Sequence, residues 1–185
     1  MKNHILKFGL IAGTVIVAIP VIAGFIIGYG PDSFKMGEII GYSTMVLSLL
    51  VIFFASKEYQ KQHPTEEVGF ARIFTLGLGI SAIAGLMFGI YNVIYVTYIS
   101  PEFMDLYYEY YLQGIRDSGA AAEVITAQIA QVESEKAMFM NPVFNFFVMF
   151  ATVFVIGVVI SIVSGMFQRD QKLQQAVVST PSQTN

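Results

Sequence analysis

The sequence predicts an all-α integral membrane protein with four transmembrane helices and an extracytoplasmic amphipathic helical hairpin between the third and the fourth. Three observations predict this fold class. Of the 185 residues, 55% are hydrophobic and only 12% are charged, about half the charged fraction of an average soluble domain. The mean hydropathy is +0.65. The charges also leave four long uncharged intervals, at residues 8–31, 39–56, 73–101 and 137–168.

Each uncharged interval is long enough to cross a membrane. A bilayer core of about 30 Å needs about 20 apolar residues of helix. Backbone N–H groups in hydrocarbon must bond within their own segment, and residues 46–54 do not alternate as a β-barrel strand would. We therefore expect one transmembrane domain over residues 1–170, with spans at about 8–29, 38–56, 73–99 and 142–167.

The first span resembles a signal peptide only in its flanking charges. Lys2 and Lys7 precede an apolar stretch of 22 residues, 8–29. That stretch is longer than a signal-peptide core, and no small-residue cleavage site follows it. We expect a retained helix with a kink at Pro20, which the neighbouring helices of a bundle can accommodate.

The connection between the third and fourth spans has the composition of two helices. Ser100-Pro101-Glu102 is typical of a helix start. Tyrosines then crowd the apolar faces, residues 114–119 have a turn composition, and a second helix follows to about residue 136. The sequence predicts a hairpin over about 101–137 on the outer surface, its first half continuing the third span.

The positive charges predict the orientation. The side that holds both chain ends carries seven Lys and Arg residues, and the other side carries three. Because cytoplasmic loops carry the excess of Lys and Arg, we expect both termini in the cytoplasm. The tail over 171–185 is rich in Gln, Ser and Thr and is expected to be disordered there.

Five segments resemble a known family of bacterial membrane proteins, domain of unknown function 4199 (DUF4199). They read ASKEY at 55–59, GFAR at 69–72, GLMFGIY at 85–91, ISPEF at 99–103 and ISIVSG at 160–165. The segments occur in the order and at the spacing of the family, and the resemblance covers roughly residues 5 to 170. The resemblance implies a small four-helix, multi-pass protein of the bacterial inner membrane. It implies no activity, substrate or catalytic residue.

Small residues recur four positions apart along the third and fourth spans. Such a face lets helix backbones approach closely. We favour packing of the four helices within one chain, with the third span at the centre; contact with another subunit is the alternative. The predicted helix-packing residues are Gly77, Ser81, Gly85, Gly89, Gly157, Ser161 and Gly165.

Polar side chains cluster in the outer half of the third span. On an α-helix, Tyr91, Tyr95 and Tyr98 share one face, with Asn92 beside them and Asn145 on the fourth span as a candidate partner. The functional interpretation is a small polar pocket under the hairpin. We favour the simpler interpretation, tyrosine anchoring at the membrane interface with one interhelical hydrogen bond.

The chain offers no recognisable catalytic or metal-binding set. Cysteine is absent, the two histidines are His4 and His63, and neither has a second ligand at metal-binding spacing. No nucleophile motif or phosphate-binding loop is present. The net charge of −3 argues against nucleic-acid binding. We expect no cofactor, no metal and no enzymatic activity.

These observations predict a non-enzymatic membrane subunit, either an accessory or scaffold protein or a self-associating one, that acts through helix packing. Its expected partners are the lipid bilayer and a second copy or another membrane protein. The alternative is a small passive transporter or channel that uses the tyrosine and asparagine face of the third span.

Overall fold

A computed structural model describes residues 1–28, 30–64 and 68–179. This part of the chain is helical, with no strand. Four of its helices are long and apolar enough to cross a membrane, at Lys2–Ile27, Ser33–Gln62, Phe70–Ile99 and Pro142–Gln168. Three of them contain the spans predicted at about 38–56, 73–99 and 142–167, and the first ends at Ile27, just before the predicted end at residue 29. The all-α class is confirmed, with four helices that have the length and apolar composition of membrane spans.

Seven α-helices and one π-helical segment make up the described chain. They are α1 (Lys2–Ile27), α2 (Pro31–Leu49), α3 (Val51–Gln62), α4 (Phe70–Ile94), the π-helical segment (Tyr95–Ile99), α5 (Phe103–Arg116), α6 (Ala122–Phe139) and α7 (Pro142–Ser179). The second span combines α2 and α3, which meet at a tightened turn where the Phe53 amide bonds the Leu50 carbonyl at 3.0 Å. Pro20 lies inside α1, and the helix continues through it.

α4 packs against α1, α3 and α7. Its buried face carries Leu76 and Ile80, which meet Leu49, Ile52 and Val153 from the neighbouring spans in one hydrophobic core. All five side chains have no exposed area. The third span is therefore the middle helix of a tightly filled bundle.

The contacts of α4 give the helix directions. Gly9 of α1 lies against Ile83, and Gly13 lies one turn further along against Met87, so α1 and α4 run parallel. α7 runs antiparallel to both. The bundle thus has an N-terminal end, where α1 and α4 begin, and an α5–α6 end, where α4 leads into the two short helices.

The third span does not continue into α5 as the sequence predicted. Ser100 adopts φ −140° and ψ 77°, outside the helical region, and α5 begins only at Phe103. The cause is Pro101, because a proline ring clashes with a helical conformation of the residue before it. The Ser100 hydroxyl donates to the Glu102 carboxylate at 3.1 Å instead of capping α5.

Two helices, α5 and α6, occupy the connection for which a hairpin was predicted. Gly119 lies between them with φ +71°, a conformation that glycine adopts readily. Lys136 near the end of α6 has its Nζ 3.9 Å from Asp105 Oδ1 and 4.6 Å from the ring centre of Tyr108, both in α5. Their position on the outer surface of a membrane stays a prediction.

α7 extends well beyond the predicted fourth span. Asn141 caps its start, with Oδ1 accepting the Val143 amide at 2.9 Å. The helix is described as far as Ser179, so residues 171–179, for which disorder was predicted, are helical. Gln, Lys, Leu and Ala favour helix in this stretch, and no proline occurs before Pro181. The predicted disorder of residues 180–185 lies outside the described residues.

Candidate functional site

Two glycine–serine pairs join α4 to α7 in a close helix contact. Gly77 lies against Ser161, and a Cβ on Gly77 would fall 2.7 Å from the Ser161 Cβ. Gly157 lies against Ser81 in the same way. Each glycine therefore makes room for the serine of the other helix, and the two backbones approach as small residues allow.

The two serine hydroxyls are satisfied within their own helices. Ser81 Oγ donates to the Gly77 carbonyl at 2.8 Å, and Ser161 Oγ donates to the Gly157 carbonyl at 2.6 Å. Neither serine has exposed area. Hydroxyls that bond the carbonyl four residues earlier leave no unsatisfied group in the apolar interior. This contact is a packing site and offers no activated nucleophile.

Phenylalanine rings cover the remaining glycines of the α4–α7 contact. A Cβ on Gly85 would lie 3.0 Å from a ring carbon of Phe150, and one on Gly89 would lie 2.8 Å from a ring carbon of Phe146. The structure thus places all seven predicted helix-packing residues in one contact between α4 and α7, inside a single chain. The seventh residue, Gly165, lies against Phe70. A Cβ on Gly165 would lie 2.6 Å from the nearest ring carbon of Phe70.

A local two-fold relation organises this contact. Adding 80 to a residue number in α4 gives its counterpart in α7, and the segments 70–85 and 150–165 are identical at seven of sixteen positions, FA··F··G··IS···G. The geometry follows the same rule, because Gly85 meets Phe150 and Gly165 meets Phe70. Since the helices are antiparallel, the relating axis runs across them between the two glycine–serine pairs.

The aromatic rings beside the glycines obey the same relation. Phe70 and Phe74 stack at 5.7 Å with planes 9° apart, and Phe150 and Phe154 stack at 5.6 Å with planes 13° apart. This internal repeat was not predicted, because the spacing of small residues within one helix does not show the likeness between two helices. Alignment of the third span with the fourth was the signal that would have revealed it.

The predicted polar cluster forms only in part. The Tyr91 and Tyr95 rings lie 5.9 Å apart, and the edge of Phe103 packs against Tyr95 at 5.2 Å. Tyr98 is 79% exposed, so it does not complete their face. The π-helical segment explains the difference: its Ser100 N to Tyr95 O bond spans five residues and changes the rotation from one residue to the next.

The two asparagines lie at the α5–α6 end of the bundle. Asn145 is buried, and its Nδ2 lies 3.9 Å from the Met104 sulfur. Asn92 is half-buried. Its Oδ1 is not accessible to solvent and has no hydrogen-bond partner. Tyr108 Oη, from α5, is in the same condition. Buried polar atoms of this kind would offer hydrogen bonds to a small polar guest. Others in the described bundle lie elsewhere, among them His4 Nε2, Ser48 Oγ and Gln168 Oε1.

Aromatic packing and one hydrogen bond fasten α5 to α2. Phe34 is buried edge-on against three rings, those of Phe103, Tyr107 and Tyr110, at 5.3 to 5.6 Å. Tyr107 Oη donates to Glu38 Oε1 at 2.7 Å. Burial raises the pKa of the Tyr107 hydroxyl well above its usual value, and the Glu38 carboxylate raises it further.

The two histidines lie at the N-terminal end of the bundle, and both contact the ring of one tyrosine. His4 meets the Tyr59 ring edge-on at 5.4 Å, and His63 stacks on the Tyr59 ring at 4.3 Å. Lys7 bonds both oxygens of the Glu58 carboxylate, at 2.9 and 3.1 Å. Among the described residues, no group of three or more His, Asp or Glu side chains is arranged to hold a metal ion.

An apolar groove opens between α1 and α2 near the α5–α6 end. Its volume is about 350 Å³, and its lining is aliphatic: Ile19, Ile22, Ala23, Ile26, Ile27 and Ile40. Such a lining suits hydrocarbon and provides no hydrogen bond to a polar ligand.

Residues 7–170 match the family model described as protein of unknown function (DUF4199). The match covers most of the chain, and the protein belongs to this family. No curated protein and no solved structure matches the chain.

Proposed function

We propose that this DUF4199 protein is a non-enzymatic membrane subunit, an accessory, scaffold or self-associating component that acts through helix packing. The observation that carries the proposal is the closed α4–α7 contact, in which Gly77 meets Ser161 and Gly157 meets Ser81. The side chains of these two helices fill the space between them. The outer faces of the helices are therefore the surfaces that would contact a partner.

The packing around that contact supports the proposal. Leu76, Ile80 and Val153 have no exposed area and no polar atom in their side chains. The serine hydroxyls beside them already bond their own helices. A substrate between α4 and α7 at this depth would meet no space, and the hydroxyls of Ser81 and Ser161 would not be free to bind it. Catalysis needs a positioned acid, base or nucleophile, and the described side chains that meet in the α4–α7 contact provide none of these.

We place the subunit in the bacterial inner membrane with both termini in the cytoplasm. The excess of seven Lys and Arg residues over three supports this orientation. α5 and α6 would then lie on the periplasmic side, where their acidic residues face water.

The proposal is tested by the size of the particle that the protein forms. Solubilised from its own membrane in a mild detergent, the wild-type chain is expected in a complex heavier than one 20.4 kDa chain with its micelle. The variant Gly85→Leu/Gly89→Leu, which would displace Phe150 and Phe146, should lose this particle and accumulate poorly. A wild-type particle that contains one chain and nothing else would contradict the proposal.

A matched control exists on α2. Gly37 and Gly41 are also four residues apart, but a Cβ on either would meet nothing within 4 Å. The variant Gly37→Leu/Gly41→Leu adds the same bulk without touching the α4–α7 contact. We expect it to accumulate like the wild-type protein, which separates damage to the contact from a general effect of leucine.

The second candidate is a passive transporter or channel that uses the polar face of α4. The buried Asn92 Oδ1 and Tyr108 Oη favour it, because they offer hydrogen bonds at the α5–α6 end. Flux of small solutes through purified protein in liposomes is the test. Flux that Asn92→Leu abolishes would establish this function in place of packing; liposomes no leakier than empty ones would remove it.

A further inference from the structure

Under the local two-fold relation, the face of α4 that contacts α1 corresponds to the outer face of α7. In that interface, three residues of α4 four positions apart meet three residues of α1: Gly79 meets Ile5, Ile83 meets Gly9 and Met87 meets Gly13. Every pair joins one large side chain to one glycine. The helices run parallel, since both numbers in each pair rise together.

No helix of the described chain covers the counterparts of these α4 residues on α7. Adding 80 gives Val159, Val163 and Phe167, which are 56%, 50% and 58% exposed. On the opposite side of α7, Gly157 and Ser161 hold α4. The position that α1 occupies beside α4 is therefore open beside α7.

We propose that this face of α7 binds a transmembrane helix of a different membrane protein, which runs parallel to α7 and carries small residues four positions apart. The inference rests on the proposed packing function and names the surface and the kind of partner. The direction follows from the two-fold relation: α1 is parallel to α4, so the helix in the equivalent place is parallel to α7.

The size of the partner's residues follows from the residues that α7 presents. In the α1–α4 interface, Ile83 and Met87 pack onto the glycines of α1. On α7, Val163 and Phe167 take their places, and Val159 replaces Gly79. All three α7 residues are large. A partner helix can therefore approach α7 as closely as α1 approaches α4 only if it carries a small residue opposite each of them.

A second copy of this chain fits the face poorly. The open glycine pair that runs in the direction of α7 is Gly37 and Gly41 on α2. Ile52, in the same span as Gly41, lies beside Gly77 at the level of Ser161. Counted along the two helices at about 1.5 Å per residue, Gly41 is therefore closer to the α5–α6 end than Val163 by roughly 15–20 Å. Two copies that share one bilayer plane cannot bring this pair to Val163 and Phe167.

The absence of cysteine makes a cross-linking test clean. Val163→Cys introduces a single thiol on the face. The matched control is Phe54→Cys on α3, where the side chain is 68% exposed and lies at about the depth of Val163. Each variant is co-expressed with a single-span polyleucine probe helix that carries one cysteine and either two glycines four positions apart or leucines there. Probes are built in both membrane orientations, and disulfide formation is measured in isolated membranes.

We expect Val163→Cys to cross-link to the glycine probe several-fold more than to the leucine probe, and only for the orientation parallel to α7. Phe54→Cys should not distinguish the probes. Equal cross-linking of Val163→Cys to both probes would mean that the face meets lipid only. Val163→Cys homodimers that outcompete the glycine probe would make a second copy the occupant. Either result would overturn the inference.

The variant Val163→Trp separates this inference from the proposed function. Tryptophan on an exposed helix face leaves the bundle folded and blocks close approach of another helix. The large detergent particle should shrink to a single chain. A particle that stays large would show that assembly uses another face, which sinks the inference and spares the packing function. A single chain in the wild-type protein sinks the packing function itself.

Discussion

Tyr107 and Glu38 are 69 positions apart in sequence, and a 2.7 Å hydrogen bond from the Tyr107 hydroxyl to the Glu38 carboxylate joins α5 to α2. Phe34, one turn before Glu38, inserts its ring among three aromatic rings of α5. The connection between the third and fourth spans is therefore fixed to the second span, and α5 behaves as part of the bundle.

Removing this hydrogen bond should destabilise the protein. Tyr107→Phe keeps the ring contacts and leaves the Glu38 oxygen without its donor, at a cost of about 1–2 kcal/mol. Thermal unfolding in detergent should show a lower midpoint than in the wild-type protein. Tyr111→Phe, at a ring that is 53% exposed, should leave the midpoint unchanged. Equal midpoints for Tyr107→Phe and the wild-type protein would show that the bond contributes nothing.

The stabilising effect of Tyr107 should disappear at high pH. Its pKa in the folded protein is raised above that of the unfolded chain, which is about 10, by burial first and by Glu38 second. The contribution is thus complete below pH 10 and falls as the pH rises above it, because the unfolded chain then loses the proton first. The midpoint difference between the wild-type protein and Tyr107→Phe should shrink from pH 9 to pH 11. A difference that stays constant would contradict the raised pKa.

The orientation is open to a direct test with topology reporters. A reporter fused after Asn185 should be active only as a cytoplasmic fusion, and one inserted after Ser118, between α5 and α6, only as a periplasmic one. The two positions control for each other, since four spans require the results to be opposite. Activity of the Asn185 fusion in the periplasm would reverse the orientation.

The positions of the four spans could be predicted from charge alone. Lys57, Arg72 and Glu102 bound long uncharged stretches, and hydrocarbon leaves helix as the form that satisfies their backbones. The exact ends were less predictable, because charged residues such as Lys2 and Glu38 extend the helices at either side. The π-helical segment was missed for a related reason, since no residue type in 95–99 signals a five-residue hydrogen bond.

The ridge of small residues was predictable, but what it faces was not. Spacing within α4 shows that Gly77 and Ser81 share one side of a helix, and it contains no information on which helix meets that side. The structure supplies Ser161 and Gly157 as their neighbours. The same limit applies to Tyr98, whose direction depends on backbone rotation three residues earlier.

Exchange of one glycine–serine pair tests the account most directly, by thermal unfolding in detergent. Gly157→Ser places a second side chain against Ser81 and should cost about 1–3 kcal/mol, as overpacked contacts do. Adding Ser81→Gly moves the small residue to the other helix and should restore most of the loss. A double variant as unstable as the sum of its two single variants, or a Gly157→Ser variant as stable as the wild-type protein, would contradict the reciprocal packing of α4 and α7.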